Sequence, residues 1–148
     1  MKIKRASERK GEKMKVVIAA AGTGGHINPG IAIANKIEQE ERNSNIMFIG
    51  TDRGIEKDLV PRAGYKLKTI EAYGFSKKIS ISNLKKTIKT LQSVKKAKQI
   101  LQEFKPDIVI GTGGYICGPV LTAAQKMRNT NNTTRKQFLP RSCGKNAF

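Results

Sequence analysis

The feature that most constrains this chain is a junction that occurs twice. Lys15-Val-Val-Ile-Ala-Ala20 runs into Gly22-Thr-Gly-Gly-His-Ile-Asn-Pro29, and Asp107-Ile-Val-Ile110 runs into Gly111-Thr-Gly-Gly-Tyr-Ile-Cys-Gly-Pro119. A short, β-branched apolar run that stops at glycine is the pattern of a parallel strand covered on both faces. Helical spacing follows each glycine cluster, with Ile31, Ala34 and Ile37 after the first and Val120 to Met127 after the second. Strands that alternate with helices build a parallel sheet. In such a sheet both turns fall on the carboxyl edge, where open α/β sheets bind ligands.

The rest of the chain extends the alternation. Asn28 is placed to cap the first helix and Pro29 to be its first residue. Asn45 to Gly50 reads as a second strand, Ile55 to Ala63 as a short helix carrying Pro61, and Tyr65 to Ile70 as a third, weaker strand. Glu71 to Ser82 reads as a loop, followed by a long helix to about Phe104 that Pro106 stops. Leu84, Ile88, Leu91 and Val94 form an apolar stripe opposite Lys85, Lys86, Lys89 and Lys96, and the stripe drifts afterwards, which predicts a bend. The expected class is α/β, a Rossmann-like parallel sheet with helices on both faces. Residues 1–13 read as a disordered extension upstream of a physiological start at Met14, and 14–127 as the domain. Residues 128–148 have no periodicity where a fifth strand is due, so the fifth position is expected to be unfilled.

Charge narrows the choice of partner. The 148 residues carry a net charge of +18. Lys66 to Lys105 holds 11 lysines against Glu71 and Glu103, and this segment supplies the whole excess of the 14–127 block. A local basic surface suits a polyanion: nucleic acid, anionic lipid or a phosphorylated ligand. Cys117 and Cys143 form no C-x-x-C pattern and His26 is the only histidine, so neither a metal site nor a disulfide framework is indicated. No apolar stretch approaches the roughly 20 residues of a spanning helix, and the N-terminus lacks a secretory core, so a cytoplasmic site is expected.

The glycine turns carry the chemistry. Glycine lets the backbone approach a ligand closely, and the N–H groups and dipole at a helix start favour an anion. Two such turns on one edge can face one phosphate-bearing ligand, although glycines also serve plain strand-to-helix turns. Neither turn has the dinucleotide fingerprint or a phosphate-loop lysine. His26, in the first turn, is a candidate to contact a hydroxyl or phosphate or to act as a base, and Tyr115 holds the matching place in the second. The loop with Tyr73, Phe75, Ile79 and Ile81 beside Lys77, Lys78, Lys85 and Lys86 mixes apolar tips with cations, the composition of a membrane contact.

Three blocks resemble glycosyltransferase family 28. They are V-V-I-A-A-A-G-T-G-G-H-I-N-P-G-I-A-I-A, then F-I-G-T-D-R-G-I-E-K-D-L-V-P at Phe48 to Pro61, then F-K-P-D-I-V-I-G-T-G-G-Y-I-C-G-P at Phe104 to Pro119. The resemblance implies the N-terminal half of a two-domain GT-B fold and an inverting transfer. The reaction would move N-acetylglucosamine from UDP-N-acetylglucosamine to undecaprenyl-diphosphate-linked N-acetylmuramyl-pentapeptide, in peptidoglycan synthesis. The N-terminal domain would hold the lipid-diphosphate acceptor and sit, as a peripheral protein, on the anionic inner face of the cell membrane. The resemblance assigns donor contact to Thr23, Gly24 and Gly25, and the cleft lining to His26, Gly113, Gly114 and Tyr115. Membrane contact falls on Phe75, Lys77, Lys78, Ile79, Ile81 and Lys85, and no metal or other cofactor is implied.

Two departures from the family pattern shape further expectations. A second domain does not follow, so the chain alone is expected to be inactive. After Met127 the family pattern is G-I-P-x-x-x-H-E-x-N-x-x-P-G, whereas the chain reads R-N-T-N-N. Permitted codons for the tail, read one base later, give G-I-P-T-I-L-H-E-N-N-S-F-P-G, so 128–148 is read as a frameshifted, non-native tail. The alternative function is a basic Rossmann-like domain that binds a nucleotide or nucleic acid. It explains the charge, but the chain has no nucleic-acid motif, and nucleic acid is not expected as a partner.

Overall fold

The structure, a computed structural model, describes residues 13–72, 81–131 and 136–138, with side chains placed at 13–72 and 92–127. Strand β1 (Lys15–Ala20) leads to α1 (Gly24–Glu40), β2 (Asn45–Gly50), α2 (Glu56–Arg62) and β3 (Lys66–Thr69). Helix α3 (Ile81–Phe104), β4 (Ile108–Gly113), α4 (Cys117–Asn131) and β5 (Lys136–Phe138) follow. All pairings are parallel and the strand order is β3-β2-β1-β4-β5. The order reverses between β1 and β4, the neighbouring strands that carry the two glycine turns.

Alternation along each strand feeds two cores. Val16, Ile18 and Ala20 of β1 point to the side of α1 and α2, where they meet Ile27, Ala34, Ile37 and Val60. Val17, Ala19 and the following Ala21 point to α3 and α4, where they meet Ala97, Leu101, Val120, Ala123 and Met127. Burial on both faces explains why β1 and β2 read as unbroken apolar runs. Strand β3 lies on the edge, with Lys66, Lys68 and Thr69 exposed. Lysine on an edge strand discourages pairing with another chain.

Several boundaries move. Helix α1 begins at Gly24 with Thr23 as its N-cap, so Asn28 is not the cap and Pro29 lies inside the helix. The glycines themselves form the first turn, and Pro29 costs α1 only the one bond that Gly25 C=O would accept. Strand β4 continues through Gly113, and α4 begins at Cys117, ahead of Pro119. Helix α3 is one continuous element from Ile81 to Phe104; its drifting stripe is completed by Ser93, Ala97 and Leu101, which are buried at intervals of four.

The expectation of an empty fifth position is corrected. Helix α4 continues to Asn131, and Lys136, Gln137 and Phe138 pair with Ile108, Val109 and Ile110. The free edge of β4 offers backbone donors and acceptors, and an extended segment can take them whatever its side chains. Residues 1–12, expected to be a disordered extension, lie outside the described residues. Met14 is buried in the α1-side core and its carbonyl accepts the Asn45 N–H at 2.7 Å.

Candidate functional site

The two glycine turns meet at the carboxyl edge of the sheet, across the β1–β4 switch point. Ala21 N–H donates to Gly113 O at 3.4 Å. Gly114 has φ +87, and a Cβ there would lie 2.3 Å from the Ala21 carbonyl oxygen, so the two backbones touch where a side chain would otherwise stand. Gly113 has φ +142, and a Cβ on it would lie 2.1 Å from His26 Nδ1. The imidazole therefore packs against the second turn's backbone.

A bulge in β4 arranges this contact. Ala19 pairs with Gly111 but Ala20 pairs with Gly113, so Thr112 is the extra residue. A bulge places two successive residues on the same side of a sheet. Thr112 and Gly113 accordingly both face α1: the Thr112 hydroxyl donates to His26 O at 2.7 Å, and Gly113 supports the His26 ring. Cys117 is buried beneath the second turn with Sγ 3.2 Å from Gly113 O, a packing role.

The start of α1 presents backbone donors to this edge. Thr23 O accepts from His26 N–H at 3.0 Å and Ile27 N–H at 3.1 Å. Gly24 and Gly25 precede the first residue that can bond within the helix, so their N–H groups have no intrahelical acceptor. Thr23 and Gly25 are exposed, Gly24 and His26 half-buried, and Tyr115 is 40% exposed. Tyr115 Cε1 would stand 3.8 Å from a Cβ on Gly22, and Ile55 Cδ1 3.8 Å from one on Gly24, so two exposed apolar side chains flank the turn. The structure thus brings together Thr23, Gly24, Gly25, His26, Gly113, Gly114 and Tyr115. Phe75, Lys77, Lys78 and Ile79 lie outside the described residues; Ile81 and Lys85 lie on α3, where the backbone alone is described.

Sequence reasoning missed Glu56. It begins α2 and is fully buried, beside the first turn. Its Oε1 accepts from the Thr51 N–H at 2.9 Å and the Thr51 hydroxyl at 2.6 Å, and its Oε2 accepts from Gly22 N–H at 3.2 Å. Burial by itself would raise its pKa, but these hydrogen bonds outweigh burial and hold the carboxyl below its ordinary value. A lone glutamate in T-D-R-G-I-E gives no periodic signal, and nothing marks Gly22 as its partner. Thr112 was missed for the same reason, because a bulge has no sequence signature of its own.

Similarity to known proteins agrees with this geometry. The glycosyltransferase family 28 N-terminal domain matches residues 16–133, a span that runs past the expected domain boundary at Met127. A UDP-N-acetylglucosamine–N-acetylmuramyl-(pentapeptide) pyrophosphoryl-undecaprenol N-acetylglucosamine transferase of Thermoanaerobacter sp. (strain X514) is 55% identical over 111 residues, 75% of this chain and 30% of the relative. A protein of the same name from Ruminiclostridium cellulolyticum is 54% identical over 113 residues, 76% of this chain and 31% of the relative. The crystal structure of MurG from Acinetobacter baumannii superposes with a TM-score of 0.64 at 27% identity, covering 78% of this chain and 33% of that one. The chain thus spans about a third of the length of these curated relatives. With the family match extending over most of the chain, the two glycine turns meeting at its switch point are those of a glycosyltransferase family 28 N-terminal domain, the family to which this chain belongs.

Proposed function

We propose that this domain forms one wall of the cleft in which N-acetylglucosamine passes from UDP-N-acetylglucosamine to undecaprenyl-diphosphate-linked N-acetylmuramyl-pentapeptide. The observation that carries the reading is the convergence of the two glycine turns at the switch point, with His26 seated on Gly113. The names of relatives at 54 and 55% identity supply the reaction. In this reading Thr23, Gly24 and Gly25 meet the donor sugar nucleotide, while His26, Gly113, Gly114 and Tyr115 line the cleft.

The chemistry is an inverting displacement. An acceptor hydroxyl attacks the anomeric carbon, the bond from that carbon to the diphosphate oxygen breaks, and the electron pair leaves with UDP. Free N–H groups at the start of α1 favour negative charge that develops beside them. His26 lies in the first turn against Gly113 of the second, and is assigned the role of accepting the hydroxyl proton.

A membrane contact belongs to the same reading. Phe75, Ile79 and Ile81 would insert beside Lys77, Lys78 and Lys85 at an anionic surface, which fits a peripheral position on the cytoplasmic face. Among the described residues no helix is long and apolar enough to cross a membrane. Reversing the charge of the three lysines is expected to release the protein from anionic vesicles; unchanged retention would reject the contact.

A chimaera tests the transferase reading. Residues 16–127 replace the matching segment of the Thermoanaerobacter relative, and sugar transfer is measured. Activity within about tenfold of the parent is expected, with His26→Ala lowering kcat by a factor on the order of 100 or more. A folded chimaera without transfer would reject the assignment, and unchanged kcat in His26→Ala would remove its catalytic role.

A further inference from the structure

Glu56 has a second property besides its burial: the donors that reach it from Thr51 and Gly22 are neutral, and they come from two different loops. Thr51 ends the β2 side of the cleft and Gly22 begins the first glycine turn. A buried carboxylate is costly unless its oxygens are hydrogen-bonded, and here both oxygens accept from donors. The surroundings are shaped to admit it. A Cβ on Gly54 would lie 2.0 Å from Glu56 Oε2, and one on Gly50 would lie 2.8 Å from Glu56 Cγ.

Gly22 is where the chain leaves β1. Its φ is +96, and Thr23 then returns to extended backbone at φ −129, ψ 156 before α1 begins. The turn is held at two places. The Thr23 carbonyl, in the peptide that carries the Gly24 N–H, accepts from His26 and Ile27 N–H within α1, and the Gly22 N–H, where the chain leaves β1, is held by a carboxylate itself held from the other side by Thr51. Glu56 thus anchors the entry to the turn, which places the Gly24 and Gly25 N–H groups two and three residues later.

We propose that Glu56 is the positioning residue of the first glycine turn, holding the Gly22 N–H so that the backbone donors of Gly24 and Gly25 point into the cleft. The proposal rests on the reading that these donors meet the sugar nucleotide. Glu56 itself does not touch ligand. Gln at this position keeps the length but carries one oxygen where two faced donors, so one N–H would confront the amide –NH₂.

The test uses the labelled 148-residue chain, its Glu56→Gln variant and Tyr65→Phe as a control that loses hydrogen bonds elsewhere. UDP-N-acetylglucosamine is titrated while the Gly22, Gly24 and Gly25 amide resonances are followed, and unfolding by urea is measured in parallel. Glu56→Gln is expected to shift the Gly22 resonance and raise Kd about tenfold, the scale of one charge-assisted hydrogen bond. Tyr65→Phe is expected to leave Kd within about twofold while losing about as much stability. An unchanged Kd in Glu56→Gln, or an equal rise in both variants, overturns the proposal. If the parent shows no response at Gly24 and Gly25, the ligand reading fails, and Glu56 is judged by amide exchange instead. Faster exchange at Gly24 and Gly25 in Glu56→Gln then supports positioning, and unchanged exchange overturns it. Should Glu56→Gln not fold, Thr51→Val, which removes the hydroxyl donor to Oε1 and leaves the backbone N–H, replaces it under the same outcomes.

Discussion

The hydroxyl of Thr112 donates to the carbonyl oxygen of His26 across 2.7 Å, joining β4 to the first turn of α1. Thr112 continues the alternation that puts Ile108 and Ile110 on the α1 side, and the bulge turns Gly113 to that side as well. Replacing Thr112 by Val keeps the shape and removes the donor. Thr112→Val is expected to cost about 1 kcal/mol of unfolding free energy, read as a lower urea midpoint at unchanged m-value. A midpoint equal to the parent's would show that the bond contributes nothing.

Gly114 and Gly118 provide a contrast four residues apart. Gly114 has φ +87 and no room for a Cβ beside Ala21 O, whereas nothing lies within 4 Å of a Cβ at Gly118, in the first turn of α4. Gly114→Ala is expected to destabilise by more than about 3 kcal/mol, from strain and backbone clash together. Gly118→Ala is expected to be neutral or stabilising by up to about 1 kcal/mol, because alanine loses less entropy than glycine in a helix. Comparable melting temperatures for the two variants would contradict the placement of the second turn.

The Glu56 carboxyl predicts an acid limb. Its folded pKa lies below the ordinary glutamate value of 4.5, so the unfolded chain binds the proton more readily. Its contribution to stability is therefore complete above about pH 4.5 and is lost as pH falls through the lower folded value. In Glu56→Gln, the slope of unfolding free energy against pH should be shallower in that acid window. An unchanged slope would mean that other carboxyls carry the dependence.

Tyr65 predicts the opposite limb. Its hydroxyl donates to Asn35 Oδ1 at 2.6 Å and lies 3.1 Å from Glu38 Oε2. Burial, and then the carboxylate of Glu38, push its pKa up from 10.0 to about 12. The folded state holds the proton more tightly, so this stabilisation is complete below about pH 10 and lost as pH rises towards 12. Phenolate absorbance should show one tyrosine titrating late in the folded protein and normally in urea, and Tyr65→Phe should remove the late step. A late step that persists in Tyr65→Phe would assign it to another tyrosine.

The alternation of buried strands and helices, the parallel sheet and the pairing of the two glycine turns at one edge were legible in the residues. A strand covered on both faces must be apolar at every position, as Val16 to Ala20 are, and regular alternation of such strands with helical crossovers builds a parallel sheet. The three family-like blocks added the site residues of both turns. Helix starts were less legible, because first-turn N–H groups need no helical partner and glycine or proline is tolerated there. Three-dimensional packing alone decided the rest. Strand β5 is backbone pairing by a segment without strand periodicity. The Thr112 bulge is a mismatch between two strands distant in sequence, and it turns Thr112 and Gly113 to the same side. The role of Glu56 depends on Gly22, 34 residues earlier, arriving beside it, so a lone acidic residue becomes the anchor of a turn only when β1 and β2 lie side by side.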